Sequence, residues 1–162
     1  MAEVYYLSPL GITNIVEEDG FITKVSIRDE EDLKPTTTDV AVLKQAITQL
    51  EEYFAGSRKA FDLPLKQPGS DFQQAVWQEL QRIPYGSTIT YSQQSQKMNN
   101  PLGIRAIAAA NGRNNLWILV PCHRVLGSNG SLTGYAGGLW RKKWLLEHEA
   151  KTLGVGQTTL AF

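Results

Sequence analysis

The stretch FDLPLKQPG, at residues 61–69, contains two prolines and a glycine. It constrains the fold of this 162-residue chain more than any other feature, because the secondary-structure pattern of the sequence differs on its two sides. Its prolines and glycine favour extended or turning backbone and disfavour a helix. Apolar segments with a hairpin signal come before it, and helices with capping signals come after it. The chain is therefore predicted to form two domains of different class, at residues 1–66 and 67–162.

The first domain is predicted to be α/β, with antiparallel strands followed by a helix. The segments EVYYLSPLG, ITNIVEE and FITKVSI are rich in β-branched and aromatic residues, and the pair Asp19-Gly20 is typical of a hairpin turn. The segment DVAVLKQAITQLEEYFAG then repeats apolar residues at helical spacing. Asp39 is placed to cap this helix, and Gly56 is placed to end it.

The second domain is predicted to be mainly α-helical and to contain a helix-turn-helix. Two capping-box patterns, SDFQ at residues 70–73 and TYSQ at residues 90–93, each predict a helix start. The pair Asn100-Pro101 predicts an N-cap and first helical residue, in a helix running to Gly112. Many small helical domains contain such a pair, so the spacing alone does not establish DNA binding.

Charge is segregated along the chain although it sums to zero. Seven basic against twelve acidic side chains give residues 1–66 a charge of −5, and nine against four give residues 67–162 a charge of +5. The basic second half is compatible with an anionic partner, although solvated faces often segregate charge as well. No apolar run reaches membrane-spanning length, and the N-terminus lacks the pattern of a signal peptide.

The segment LVPCHRV contains the only cysteine of the chain, Cys122. A lone cysteine excludes an intramolecular disulfide and a four-cysteine zinc cluster, and it favours a reducing, cytoplasmic location. It is either a small buried hydrophobe or a nucleophile. A nucleophile needs help, because the ordinary thiol pKa of about 8.5 leaves little thiolate at neutral pH. His123 follows directly, but adjacent side chains diverge in extended chain, so a water or a backbone bend has to connect them.

A histidine base works best when an acid holds its other ring nitrogen. The candidates are Glu147 and Glu149 in the final predicted helix, LWRKKWLLEHE, which Gly138 introduces. Charge and spacing do not choose between them, and either is equally interpretable as a solvated surface acid. The tryptophans of this helix are interpreted as core residues. The segment LWILV, at residues 116–120, is predicted to be a short buried strand or extended segment.

Several of these motifs together resemble one protein family. FDLPL, FQQAVWQELQRIPYGSTITY, PCHRV, GYAGG and WLLEHE occur in the order found in the O6-alkylguanine-DNA alkyltransferases, also called methylated-DNA–protein-cysteine methyltransferases. The resemblance is dense from Tyr53 to Gly154, looser before that, and fits the constitutive bacterial form. It implies a ribonuclease H-like first domain and a second domain that binds DNA through the helix-turn-helix.

The resemblance also implies a reaction. An alkyl group moves irreversibly from O6 of guanine, and from O4 of thymine, onto Cys122, once per molecule and without cofactor or metal. His123 matches the residue that takes the thiol proton through a water, and Glu149 matches the acid that orients this histidine. Asn114 matches a residue that links the DNA-reading helix to the active-site loop. The implied partner is double-stranded DNA that contains O6-alkylguanine. The protein, expected to be a monomer in solution, is implied to bind the minor groove and to flip the damaged base out of the duplex.

Further roles are implied for the DNA-reading and pocket residues. Tyr91 matches a tyrosine that faces the guanine ring, and Arg105 matches the arginine that replaces the flipped base in the duplex. The other implied DNA contacts are Ala106, Ala109 and Arg113. The residues implied to line the substrate pocket are Tyr135, Ala136, Val125 and Trp117.

The sequence departs from the family pattern at three places. Asn115 replaces a common proline, which predicts a looser approach to the active-site loop. Trp117 replaces a small residue or proline, which predicts a narrowed pocket. The pair Gln94-Ser95 replaces two apolar residues in the first helix of the helix-turn-helix, which leaves its packing in question.

Two other classes of function are compatible with parts of the pattern. A non-catalytic protein that binds alkylated DNA explains the helix-turn-helix, but such relatives carry another residue at the position of Cys122. A cysteine hydrolase explains Cys122 and His123, but it does not explain the helix-turn-helix or Arg105.

Overall fold

A computed structural model describes two compact units of the chain. The described residues are 1–100, 103–127, 130, 135 and 137–154. The first unit contains Met1–Pro68 together with Asn115–Leu119, and the second contains Gly69–Asn114 together with the described residues from Val120 onward. The first unit thus includes a short segment from late in the chain, which no sequence pattern indicated.

The first unit is built on a three-stranded antiparallel sheet, as predicted. Its strands are β1 (Ala2–Ser8), β2 (Gly11–Glu18) and β3 (Phe21–Arg28), in the order β1-β2-β3. The predicted hairpin turn joins β2 to β3, with φ of 52° at Asp19 and 84° at Gly20. Positive φ at both central residues gives the turn the twist that antiparallel strands require.

The helix α1 (Ala41–Ala55) packs its apolar face against this sheet. Gly56 ends it in the left-handed region, with φ 87°, as predicted. The predicted cap by Asp39 is wrong, because the N-cap is Val40 and no side chain caps the helix. The hydroxyl oxygen of Thr38 instead accepts a hydrogen bond of 3.1 Å from the Val40 N–H, just before the helix. The buried face of α1 consists of Leu43, Ala46, Leu50 and Tyr53.

The late segment of the first unit binds the edge of β3. Leu116 forms a parallel bridge with Val25, whose N–H donates to the carbonyl of Asn115 at 2.8 Å and whose carbonyl accepts from the Trp117 N–H at 3.0 Å. The predicted strand over residues 116–120 is therefore wrong after its first residue. The chain turns directly afterwards, since Ile118 has φ 68°, which no strand adopts. The predicted burial of this segment is confirmed.

The second unit contains three helices before the cysteine: α2 (Asp71–Gln81), α3 (Tyr91–Lys97) and α4 (Ile104–Gly112). Both predicted capping boxes are present, at the starts of α2 and α3. The predicted start of α4 is wrong, because its N-cap is Gly103. Asn100 instead closes a turn by accepting a hydrogen bond of 2.9 Å from the Gly103 N–H.

The helices α3 and α4 are joined by a buried pair of side-chain amides. Gln94 Nε2 donates to Asn111 Oδ1 at 3.3 Å, and Asn111 Nδ2 donates to Gln94 Oε1 at 3.0 Å. The hydroxyl of Ser95 donates to the carbonyl of Asn100. Both side chains of the polar pair that departs from the family pattern are therefore hydrogen-bonded inside the helix-turn-helix.

A short parallel pair of strands connects this helix pair to the cysteine. Val125–Leu126 (β5) follows directly after a single 3₁₀ turn at Cys122–Arg124, and it pairs with Ile89–Thr90 (β4). Since α3 begins immediately after β4, Tyr91 at its first position is held beside the strand that leaves the cysteine turn.

The last helix of the second unit is α5 (Leu139–Thr152), introduced by Gly138 as predicted. The interpretation of its tryptophans as core residues is wrong for Trp140, which is 57% exposed and stacks against the guanidinium of Arg141 at 4.5 Å. Trp144 is partly buried and stacks on His148. The opposite face of α5 is buried and carries Lys142 and Glu149.

Candidate active site

Cys122 begins the 3₁₀ turn and is partly exposed. Its Sγ accepts a weak hydrogen bond of 3.5 Å from the side-chain amide of Asn114. Burial raises the pKa of the thiol, while the Asn114 amide and the nearby charge of Lys142 lower it. The net direction is upward, so the resting thiol is protonated at neutral pH and needs a base to become a nucleophile.

His123 is completely buried, and its Nε2 lies 2.7 Å from Oε2 of Glu149. An ionised carboxylate accepts but does not donate, so the neutral ring carries its proton on Nε2. The other ring nitrogen, Nδ1, has no hydrogen-bond partner among the described residues. Geometry thus selects Glu149 over Glu147, which instead lies 3.8 Å from the exposed Lys143.

Glu149 is completely buried and accepts hydrogen bonds from several donors besides His123. Arg124 binds both carboxylate oxygens, with Nε 2.9 Å from Oε1 and Nη2 3.0 Å from Oε2. The Gly86 N–H also donates to Oε1 at 3.1 Å. Burial alone would raise the pKa of Glu149, but the His123 and Arg124 interactions outweigh it and hold that pKa far below its usual range.

The pKa of His123 is lowered, chiefly by burial, despite the adjacent carboxylate. The charges of Arg124 and Lys142 act in the same direction as burial. His123 is therefore neutral at physiological pH, and its Nδ1 lone pair is available to accept a proton.

Asn114 connects the end of α4 to the cysteine turn. It follows the C-cap Arg113, and its amide donates to the carbonyl of Val120 at 2.9 Å as well as to Cys122. The next residue, Asn115, is also fixed, because its N–H donates to Oε1 of the buried Gln67 at 2.8 Å. A proline has no N–H to donate, so this chain uses the departure from the family pattern to make a specific bond.

Two basic side chains at the site were not predicted from the sequence. Lys142 is completely buried, and burial lowers its pKa to about 8. It lies seven residues before Glu149 and therefore on the same face of the helix, so helical periodicity could have indicated it. Arg124 lies inside the PCHRV motif, but its partner is distant in sequence, and no local pattern identifies it.

The implied DNA-reading residues lie along one exposed side of α4. Arg105, Ala106 and Ala109 are all exposed, and Arg113 at the C-cap is exposed as well. The side chain of Trp77 fixes this helix from the buried side, donating from Nε1 to the Ala110 carbonyl at 2.9 Å.

The implied pocket residues are distributed over both units. Val125 is buried in β5, next to the cysteine turn, and Tyr135 is partly buried in the second unit. Ala136 lies outside the described residues. Trp117 is buried within the first unit, where its backbone binds β3.

Within the described part of the chain, no three metal-binding side chains form a cluster. No helix of that part has the length and apolarity required to cross a membrane.

These features define a class of protein: an α/β domain followed by a helix-turn-helix domain in which a cysteine is followed directly by a buried histidine paired with a glutamate. Family models agree with both parts. Residues 1–67 match the ribonuclease-like domain of 6-O-methylguanine DNA methyltransferase, and residues 71–151 match the DNA binding domain of the same protein.

Individual relatives give the same result. The chain is 47% identical over 137 residues to the constitutive methylated-DNA–protein-cysteine methyltransferase of Bacillus subtilis, covering 80% of this chain and 83% of that protein. It is 51% identical over 106 residues to the methylated-DNA–protein-cysteine methyltransferase of Methanosarcina acetivorans, covering 65% and 68%. The crystal structure of Mycobacterium tuberculosis OGT in complex with DNA superimposes with a TM-score of 0.82 at 39% identity, covering 91% and 92%. The chain belongs to the 6-O-methylguanine DNA methyltransferase family, which confirms the resemblance and the predicted fold class.

Proposed function

We propose that this chain repairs DNA by direct reversal, transferring a methyl or other alkyl group from O6 of guanine to the sulfur of Cys122. The observation that carries the proposal is the buried Glu149–His123 pair, which leaves Nδ1 of the histidine free to accept a proton beside the cysteine turn. Family membership supports the same reaction.

The reaction balances without a cofactor. A water relays the thiol proton of Cys122 to Nδ1 of His123, and the thiolate attacks the alkyl carbon. A sulfur–carbon bond forms, the bond between that carbon and O6 breaks, and the electron pair leaves with guanine. The hydroxyl of Tyr91 donates to the ring and so stabilises the leaving group. Because the thioether is not reversed, each molecule reacts once, and the same chemistry extends to O4 of thymine.

DNA is engaged through α4 in the minor groove. O6 of a stacked guanine is inaccessible, so the nucleotide is rotated out of the duplex at a cost of a few kcal/mol, and Arg105 fills the space it leaves. The small exposed side chains of Ala106 and Ala109 support a close approach of the helix to a narrow groove. Arg113, at the end of the same helix, adds a phosphate contact. Minor-groove readout is poorly sequence-specific, which suits repair at any site.

The flipped base is held by the remaining pocket residues. By family resemblance, the backbone at Val125 and Ala136 hydrogen-bonds its edge, Tyr135 forms one wall, and Trp117 narrows the space for the alkyl group. Replacing Trp117 by alanine should then raise the rate with O6-benzylguanine relative to O6-methylguanine. An unchanged ratio would remove Trp117 from the pocket.

The protein is proposed to act as a cytoplasmic monomer, with its DNA-binding domain at residues 67–162.

The test uses duplex DNA that contains O6-methylguanine, followed by peptide mapping with mass spectrometry. The expected result is one methyl group per molecule, on the peptide that contains Cys122, and conversion of the lesion to guanine. Binding without transfer would support the alternative, a non-catalytic protein that recognises alkylated DNA. The Cys122→Ser variant is the matched control, because it should bind the duplex and leave the lesion intact.

A further inference from the structure

We propose that Arg124 is a positioning residue of the reaction: its guanidinium balances the charge of Glu149, and His123 is thereby kept neutral as the base for Cys122. The inference rests on the proposed function and deepens it, because it assigns a role to a buried cation that the transfer chemistry itself does not require.

The guanidinium of Arg124 is fixed by partners on three sides. The Arg124 side chain is 8% exposed, and two of its nitrogens bind both oxygens of Glu149. A third nitrogen, Nη1, donates to the carbonyl of Ile83 at 2.8 Å, just beyond the end of α2. A planar fork with three fixed partners has one orientation, so Arg124 holds the carboxylate in the position from which it meets His123.

The charge of Arg124 offsets that of the buried Glu149 carboxylate. Arg124 and Glu149 together are neutral, so this pair adds no net charge beside an unprotonated His123. Without Arg124, the nearest positive partner left for the buried carboxylate would be His123 itself, and the ring would be drawn to accept a proton. A doubly protonated imidazole donates from both nitrogens and accepts from neither. It would be useless as a base for the thiol.

The groups that face His123 from each packed element agree with this role. The 3₁₀ turn contributes Arg124 and Cys122, and α5 contributes Glu149 and Lys142. Glu149 alone favours the protonated ring, whereas Arg124 and Lys142 disfavour it. Arg124 binds the carboxylate directly, so it reduces the effect of Glu149 as well as adding its own repulsion.

The test measures alkylation of Cys122 by free O6-benzylguanine, which needs no DNA, from about pH 5 to about pH 9, a range that spans ordinary histidine and cysteine titration. In Arg124→Gln, the acidic limb of the rate profile should move up by about one pH unit or more, with a rate loss of about tenfold at neutral pH that is partly recovered at higher pH. Arg124→Lys keeps the charge, so its acidic limb should stay close to that of the parent. The matched control is Arg141→Gln, which removes another buried arginine of the same unit, one that donates to the Gly137 carbonyl. It should not move the limb.

If the acidic limb of the pH–rate profile lies at the same pH in the parent, Arg124→Gln and Arg124→Lys, the inference is overturned and Arg124 is a structural residue. A second measurement needs no variant and covers the case in which Arg124→Gln does not fold. Nitrogen NMR of the parent protein should show His123 as the neutral tautomer protonated on Nε2 at pH values well below the ordinary histidine pKa of about 6.5. A doubly protonated His123 at neutral pH would refute the role of Arg124, whether or not the parent protein transfers alkyl groups.

Discussion

The second unit contains two contrasting regions: the buried cluster around the cysteine, formed by Cys122, His123 and Glu149 with their neighbours, and the exposed outer side of α4. In the cluster, Glu149 has no exposed surface and is bound by three neighbours, so its ionisation and position depend on each of them. On α4, Arg105 and Ala109 project from the surface, and the helix itself is anchored by buried side chains on its other side. Substitutions in the cluster should therefore change stability and chemistry together, whereas substitutions on the outer side of α4 should change only reactions that require DNA.

The largest effect is expected for Glu149→Gln. Loss of the carboxylate leaves Arg124 as a buried, uncompensated charge and removes the partner that orients His123. We expect a cost of about 3–5 kcal/mol in the free energy of unfolding. We also expect a loss of about 10²–10⁴-fold in alkyl-transfer rate, with duplex and with free O6-benzylguanine alike. Denaturant unfolding and single-turnover kinetics measure the two quantities.

Glu147→Gln is the matched control for this prediction. Glu147 is on the same helix but pairs loosely with Lys143 at the surface, so its loss should cost no more than about 0.5 kcal/mol and leave the rate unchanged. Equal effects of the two variants would show that the burial of Glu149 is not what makes it essential.

Arg105→Ala tests the other region. The exposed side chain has no hydrogen bond or ion pair among the described residues, so unfolding should be unaffected. The rate with O6-methylguanine in duplex DNA should fall about tenfold or more, because the flipped nucleotide loses the group that replaces it. The rate with free O6-benzylguanine should stay the same. An equal loss with both substrates would contradict a role in base flipping, and Lys151→Ala, an exposed cation on α5, provides the comparison for a simple loss of positive charge.

The dependence of stability on acidic pH should also distinguish the two regions. The pKa of Glu149 is lowered in the folded protein, so below the ordinary carboxyl range the unfolded chain binds more protons and stability falls with falling pH. The pKa of His123 is also lowered, which gives a loss in the same direction as pH falls through about 6.5. Glu149→Gln should flatten the lower part of this dependence, and Arg105→Ala should leave it unchanged, as followed by thermal unfolding at several pH values.

At alkaline pH, stability should again rise with increasing pH, but for a different reason. The folded pKa of Lys142 is about 8, below its ordinary value, so between those two values the unfolded chain holds a proton that the folded protein has released. Stability should therefore rise with pH across this interval. Lys142→Met should remove the rise, and persistence of the rise in that variant would assign it to another group.

Secondary structure was predicted from the sequence better than the contacts between residues that are distant in sequence. Capping boxes, the hairpin turn and the helical spacing are local signals, and the structure contains all of them. The bond of Arg124 to Glu149 joins residues 25 apart, and the bond of Asn115 to Gln67 joins residues 48 apart, so neither has a local pattern. The choice between Glu147 and Glu149 came from the family resemblance and needed the fold to explain it. The proposed site residues thus come from motifs, while the contacts that fix their ionisation and position have no local sequence signal.

The smallest effect is expected at the amide pair of Gln94 and Asn111, which is buried like the cluster but is uncharged and joins α3 to α4. Gln94→Leu or Asn111→Leu alone leaves a buried amide unsatisfied and should cost about 1–3 kcal/mol in the free energy of unfolding. The double variant replaces both polar groups with apolar ones of similar size, so most of that cost should disappear. The double variant should also keep its transfer rate with free O6-benzylguanine, because no charge near His123 changes. If the two single costs simply add, the amides do not act as a pair, and if the double variant loses its rate with the free base, the amide pair is coupled to the chemistry and the division between the two regions fails.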